Sequence, residues 1–256
     1  MTQTLGDRMK TYEAVYQQHV IRRTPTIIRL DGRAFHTFTK RYLKDTIDTP
    51  FSISMHAAMA NTTSWLVSNV QNCVCGYTQS DEISLLLVDW QNHETQQWFD
   101  GKVQKVASVS ASMATAAFNS SAALMGITSV DSVYDMATFD SRVFSLPESE
   151  VVNYFIWRQQ DASRNSVQML GHFHFSQKEM EGKNNSQVQD MLMLGKGINW
   201  NDIATWAKRG TVVFPNPDRL SSAARTIVDE EIPIFTQDRN YLEKFMEVTD
   251  VSDILT

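Results

Sequence analysis

The sequence predicts an α+β fold built on one antiparallel sheet, and three observations predict it. An apolar, β-branched run at residues 26–30 stops at the pair Asp31-Gly32. Two short apolar runs, residues 74–78 and 83–88, are separated by Gln79-Ser-Asp-Glu82 and read as a hairpin with acids at its tip. Stretches of helical period lie between and after these runs. The order is β-α-β-β-α-β and then a helix, the ferredoxin-like arrangement of an antiparallel sheet with helices on one face.

The elements follow in order. Residues 7–19 read as a short helix with Met9, Tyr12, Val15 and Tyr16 along one side, and Pro25 ends what precedes it. Residues 26–30 form a buried strand that Asp31-Gly32 breaks into a loop. Phe35, Phe38 and Tyr42 are spaced for one face of a short helix, and the polar residues 43–51 form a loop. From Ser52 the period is again helical, with Ser52 or Ser54 as N-cap and Met55, Met59, Leu66 and Val70 on one face. After the hairpin a long helix is expected over about residues 94–119, with Phe99, Val103, Val106, Met113 and Ala117 toward the core. Residues 135–146 read as a strand closed by Pro147, and residues 149–170 as a helix. Further on, residues 178–194 are expected to be helical, 211–214 and 226–235 to be strands, and 239–248 an amphipathic helix. This divides the chain into a catalytic unit, 1–170, and a smaller α+β extension, 171–256, packed on it.

Composition excludes several classes. The 256 residues carry a net charge of -6, which argues against a protein that simply coats nucleic acid. No apolar run approaches the roughly 20 residues of a membrane span, and no signal peptide is read at the start. We place the two cysteines, Cys73 and Cys75, on opposite faces of a strand, a poor geometry for a disulfide, and expect a reduced, cytoplasmic protein. There is no Gly-x-Ser-x-Gly and no Walker A sequence, and His172-Phe-His174 is a poor zinc pattern.

The topology puts strand one beside the hairpin, so Asp31 and Asp81 fall at adjacent strand ends with Glu82 next to them. Two carboxylates suit hard divalent ions, and paired ions of that kind clamp the attacking and leaving oxygens of phosphoryl transfer. Gly32 lets the backbone turn and approach the ion, and its carbonyl is a further ligand. Taken singly, an Asp-Gly pair is commonly a turn, and Ser80-Asp81-Glu82 a solvated tip. The backbone N–H groups through Gly32, Arg33, Ala34, Phe35 and His36 could cradle phosphate, or simply begin a helix. Lys102 and Lys105 share a helix face and could hold triphosphate, or be solvated. Lys208 and Arg209 could touch RNA phosphates, or only solvate a loop.

Several stretches together resemble the tRNA-His guanylyltransferase family, in its Thg1-like branch of 3′–5′ RNA polymerases. They are Arg29-Leu-Asp-Gly-Arg-Ala-Phe-His36, Gln79-Ser-Asp-Glu82, Phe139-Asp-Ser-Arg-Val143, Tyr154-Phe-Ile-Trp-Arg-Gln-Gln-Asp161, Gly197-Ile-Asn-Trp-Asn201 and Lys208-Arg-Gly-Thr211. The resemblance implies a polymerase palm, catalytic Asp31, Asp81 and Glu82, and two Mg2+ ions held by Asp31, Asp81 and the Gly32 carbonyl. It implies an incoming ATP or GTP held by residues 31–36 with Ser80, Asp81, Lys102 and Lys105. Lys44, Asp161, Asn165, Lys208 and Arg209 would serve the RNA 5′ end. Where guanylate-adding members carry His-Ile-Asn-Asn, this chain has Ser163-Arg-Asn-Ser166. That favours templated repair of 5′-truncated tRNA; the resemblance further implies a homotetramer, and the partners expected are tRNA and nucleoside triphosphates, with no membrane. A purine nucleotide cyclase on the same palm, and a non-catalytic RNA-end binding protein, are the rival readings.

Overall fold

The computed structural model describes residues 3–43, 49–91, 94–128, 136–218 and 224–247. A first helix, α1 (Leu5–Ala14), is closed by a capping box between Thr4 and Asp7. Then come β1 (Thr26–Arg33), α2 (Phe35–Tyr42) and α3 (Ile53–Asn69), which starts at the Ser52 N-cap. The hairpin is β2 (Cys73–Gln79) and β3 (Glu82–Leu87), followed by α4 (Val103–Leu124), β4 (Thr138–Ser145) and α5 (Glu148–His174). The chain continues through α6 (Gln177–Met180), α7 (Asn185–Lys196), α8 (Thr205–Arg209), β5 (Thr211–Pro215), β6 (Thr226–Asp229) and α9 (Asn240–Glu243).

The six strands lie in the order β4-β1-β3-β2-β5-β6, and every neighbouring pair is antiparallel. The first four are the ferredoxin-like unit expected from the sequence. The residues after 170 add β5 and β6 to the free edge of β2, and α5 runs through that point unbroken.

The central strands β1, β3 and β2 are covered on both faces, while the edge strands β4 and β6 keep exposed residues. On one face, Ile28, Leu30, Ile83 and Leu85 pack with Met59, Leu66 and Phe118 of α3 and α4. On the other, Ile27, Tyr77 and Leu86 pack with Val151 and Phe155 of α5 and with Ile232, Phe235 and Leu242 near the C-terminus. Two-sided burial explains why β3 reads as a continuous apolar run. Regular alternation would put Cys73 and Cys75 on one face, but a register shift between them sends Cys73 to the first core and Cys75 to the second.

Several expectations need correcting. Asp31-Gly32 does not end β1, because ladder pairing to β4 continues to Arg33. The helix expected from residue 94 begins only at Val103, after a 3₁₀ turn at Trp98–Gly101 in which Phe99 and Asp100 take left-handed φ of 51° and 56°. His172 and His174 lie in the last turn of α5, not on a strand. The stretch 178–194 is interrupted before Asn185, β6 stops at Asp229, and the final helix is a single turn. The apolar side of α1 is uncovered: Leu5, Met9 and Tyr12 are exposed. Among the described residues no helix is long and apolar enough to cross a membrane.

Candidate active site

The acids gather at one end of the sheet. Register sets Asp31 opposite Glu82 on β3 and opposite Asp140 on β4. The Gly32 N–H donates to the Asp81 carbonyl at 3.0 Å, which ties the end of β1 to the tip of the hairpin. Burial, and then the Asp31 charge, push the Asp81 carboxyl above its ordinary range, while its own backbone and Ser80 pull it down. Among the described residues neither Asp31 nor Asp81 forms an ion pair. Two neighbouring carboxylates without a resident counter-charge suit a hard divalent cation. No third His, Cys, Asp or Glu among the described residues completes a cluster there, so substrate oxygens would fill the remaining positions, as is usual for Mg2+.

Glu82 is different. Its two oxygens accept from Arg158 at 2.7 and 2.8 Å, and both side chains are buried. Arg158 also donates to Asp161 at 2.9 Å, and Arg164 reaches Asp161 at 3.0 Å. Burial pushes the Glu82 carboxyl above its ordinary range against the pull of the Arg158 N–H donors and charge, while for Arg158 burial is outweighed by the Glu82 bonds and charge, which raise it. Glu82 and Asp161 therefore anchor α5 to the acid end through Arg158.

Gly32 is required for a reason the sequence did not reveal. A Cβ there would lie 2.3 Å from the Phe35 ring. Phe35 is held in turn by Phe38, Phe118 and Phe139, with ring centroids 5.1 to 5.3 Å away. This aromatic cluster fixes where α2 begins. Ala34, at the N-cap with φ of 57°, offers no capping side chain, so the first N–H groups of α2 are left for an anion. Ser80 has φ of 51° in the two-residue turn that aims Asp81.

Asp81 and Ser80 form part of a cleft of about 460 Å³ between α2 and α3 on one side and α5 and α8 on the other. Phe35, His36, Met55 and Asn165 line it. So do two residues that sequence reasoning missed, His56 and Trp206, whose rings stack at 4.2 Å and 13°. His56 also meets Glu230 at 2.8 Å. These three come from distant stretches, so no local spacing signals their meeting. The volume is that of a nucleoside-sized ligand.

The remaining candidates are placed apart. α4 is bonded to β4 between the Ser110 and Ser141 hydroxyls and by the Phe139 N–H, which donates to the Thr115 Oγ1, and Phe139 pairs with Gly32. The C-terminal half of α4 is thus at the acid end, and Lys102 lies about 12 Å from Ser110 toward the other end. Lys105 sits over the Phe99 ring at 4.8 Å. Spacing put this pair on one helix face, but only packing decides which end of the sheet it serves; neither lysine lines the cleft. Lys208 is buried, its ammonium donates to the Asn201 carbonyl, and burial lowers its pKa. With Arg209, Arg164 and Trp200 it lines a second cleft of about 480 Å³. Lys44 lies outside the described residues.

A family model described as "Thg1: tRNAHis guanylyltransferase" matches residues 6–147, from α1 through β4. The chain belongs to the tRNAHis guanylyltransferase (Thg1) family. It is a nucleotidyltransferase of that family, as the resemblance implied. A solved bacterial Thg1-like protein in complex with ATP is 42% identical and superposes with a TM-score of 0.85, covering 96% of this chain and 100% of that one. A bacterial Thg1-like protein in complex with GTP gives 40% identity and a TM-score of 0.79, over 94% and 98% of the two chains. The tRNA(His) guanylyltransferase of Kluyveromyces lactis is 27% identical, over 74% of this chain and 82% of its own. The bacterial Thg1-like matches agree with the branch to which Ser163-Arg-Asn-Ser166 points.

Proposed function

We propose that this chain adds nucleotides to the 5′ end of RNA in the 3′–5′ direction, repairing 5′-truncated tRNA against its own template. The observation that carries this reading is Asp81 in the lining of a nucleoside-sized cleft, beside the uncapped start of α2 and tied through the Gly32 N–H to the strand that carries Asp31. In this reading ATP or GTP occupies the cleft, its base between the α3 and α8 side chains and its triphosphate against the N–H groups of residues 33–36. The ATP and GTP complexes of the bacterial relatives support that occupant.

A 5′-monophosphate end is first activated by nucleotidyl transfer; a 5′-triphosphate end needs no activation. The 3′-hydroxyl of the incoming nucleotide then attacks the α-phosphorus of that end and pyrophosphate or nucleotide leaves. Asp31, Asp81 and the Gly32 carbonyl would hold Mg2+, which when bound lowers the hydroxyl's pKa and neutralises the phosphates. The α2 N–H groups bind and orient the triphosphate. Arg158 holds Glu82 and Asp161, so that α5 and the RNA it contacts keep a set distance from the acids. The second cleft, with Arg164 and Arg209, adjoins α5 and suits RNA phosphates, which gives residues 171–256 an RNA-contacting role. The buried free thiols of Cys73 and Cys75 fit the cytoplasm.

The test is incubation with a 5′-truncated, 5′-triphosphorylated tRNA, the four nucleoside triphosphates and Mg2+, followed by sequencing of the 5′ end. Templated extension is expected, and Asp81→Asn should lower it by at least about 100-fold with the fold retained. Cyclic product formed without RNA would instead identify a cyclase, and RNA binding without turnover a binding protein.

A further inference from the structure

The sheet face under α5 carries two charged rows beside the acids. Residues directly opposite one another across strands share a face. Asp140, Asp31 and Glu82 form the row at the sheet end, and Arg142, Arg29 and Ser84 form the next. The face is identified by α5 itself: Arg158 binds Glu82, the Tyr154 hydroxyl meets Ser84 at 2.7 Å, and Arg29 lies 5.8 Å from the Trp157 ring.

Arg29 and Arg142 are like charges directly opposite each other, an arrangement that is destabilising by itself. Their compensation within the chain is poor. The Arg29 Nε is buried and has no hydrogen-bond partner among the described residues. Among the described residues Arg142 reaches only Asp140, at 3.9 Å, and both of those side chains are more than half exposed. Trp157 leaves 47% of its surface open beside them. Arg158 stacks on the Trp157 ring at 4.3 Å, so a base would meet the ring where it remains exposed. Two under-satisfied guanidiniums beside a half-exposed indole are the components of a single-strand site, in which arginine meets phosphate and the aromatic ring takes a base.

We propose that Arg29, Arg142 and Trp157 bind a single-stranded RNA segment, with a phosphodiester on the arginines and a base on Trp157. This rests on the reading that the chain extends RNA. The patch is an open strand surface, while the nucleoside-sized cleft lies elsewhere and is lined by none of these three residues. The nucleotide would then approach the acids from the cleft, and the RNA strand would approach along β1 and β4.

The test compares Arg142→Gln, Arg142→Lys, Trp157→Leu and Trp157→Phe with wild type, after circular dichroism and melting confirm the fold. KM is measured for the truncated tRNA and for the nucleotide, and RNA affinity is measured over a salt series. Trp157→Leu should weaken RNA roughly tenfold or more, with Trp157→Phe recovering most of it. Arg142→Gln should reduce the slope of log affinity against log salt by about 0.7, and Arg142→Lys should restore it. The nucleotide KM should not move. Unchanged RNA affinity and slope would overturn the proposal. So would a raised nucleotide KM with normal RNA affinity, which would place a free triphosphate there instead. If wild type adds nothing to RNA, the underlying reading fails on its own; direct binding of the same RNA then judges the patch, and variants that bind it like wild type overturn the site as well.

Discussion

Replacing Arg158 with leucine should separate anchoring from catalysis at the acid end. The guanidinium and the Glu82 carboxylate are only 7% and 9% exposed and share two bonds of 2.7 and 2.8 Å. Losing one partner of such a pair leaves a buried charge without compensation, at about 3–5 kcal/mol. For a domain of this size that is roughly 6–20 °C in melting temperature. The pH dependence has a definite sign. Without Arg158, burial makes the folded Glu82 carboxyl bind its proton more tightly than the unfolded one. A group raised in this way supports the folded state below its unfolded value of about 4.3 and loses that support as pH rises through its folded value. The deficit against wild type should therefore be small in acid and largest near neutral pH. Thermal melts of both proteins between about pH 4.5 and pH 8 measure it. Adding Glu82→Leu should recover part of the loss, because no unpaired charge then stays buried at that position. A variant that melts within about 2 °C of wild type at neutral pH, or a deficit that does not change with pH, would refute the argument.

Other outcomes follow from the same packing. Gly32→Ala drives a methyl into the Phe35 ring and should cost about 1–3 kcal/mol in urea melts, with Phe35→Leu relieving part of it. Burial pushes the Cys75 thiol up to about 12 and raises Cys73 as well. Neither should react with Ellman's reagent in the native protein, and both should react fully in denaturant. Leu5, Met9 and Tyr12 leave an apolar seam open on α1, which a second copy would cover in the homotetramer that the family resemblance implies. Met9→Glu should lower the assembly state in sedimentation, and an unchanged state would remove α1 from the interface.

The arrangement of the first four strands and the positions of Asp31 and Asp81 were legible because local signals carry them. An apolar run ending at Asp31, and an acidic break at Gln79-Ser-Asp-Glu82 between two apolar runs, declare themselves by period and by turn residues. The same local reading failed where the outcome depended on what packs against an element. It put a break at Asp31-Gly32, because the pairing of Gly32 with Phe139 across β4 is invisible along the chain. It did not reveal that Glu82 is held in a buried ion pair, because nothing in its neighbourhood announces Arg158.

By itself, then, the sequence determined the α+β class, the acid-tipped hairpin beside the first strand and, through its motifs, the family. The tertiary structure alone decided how the acids differ. Among the described residues Asp31 and Asp81 form no ion pair, while Glu82 is paired with a residue 76 positions away. It alone also placed Lys102 and Lys105 toward the far end of α4, stacked His56 on Trp206 in the cleft, and aligned Arg29 with Arg142. The physical reason is common to all of these. Period and turn chemistry act over a few residues, whereas burial, ion pairing and ring stacking depend on distances that only the closed sheet and its two covering layers set.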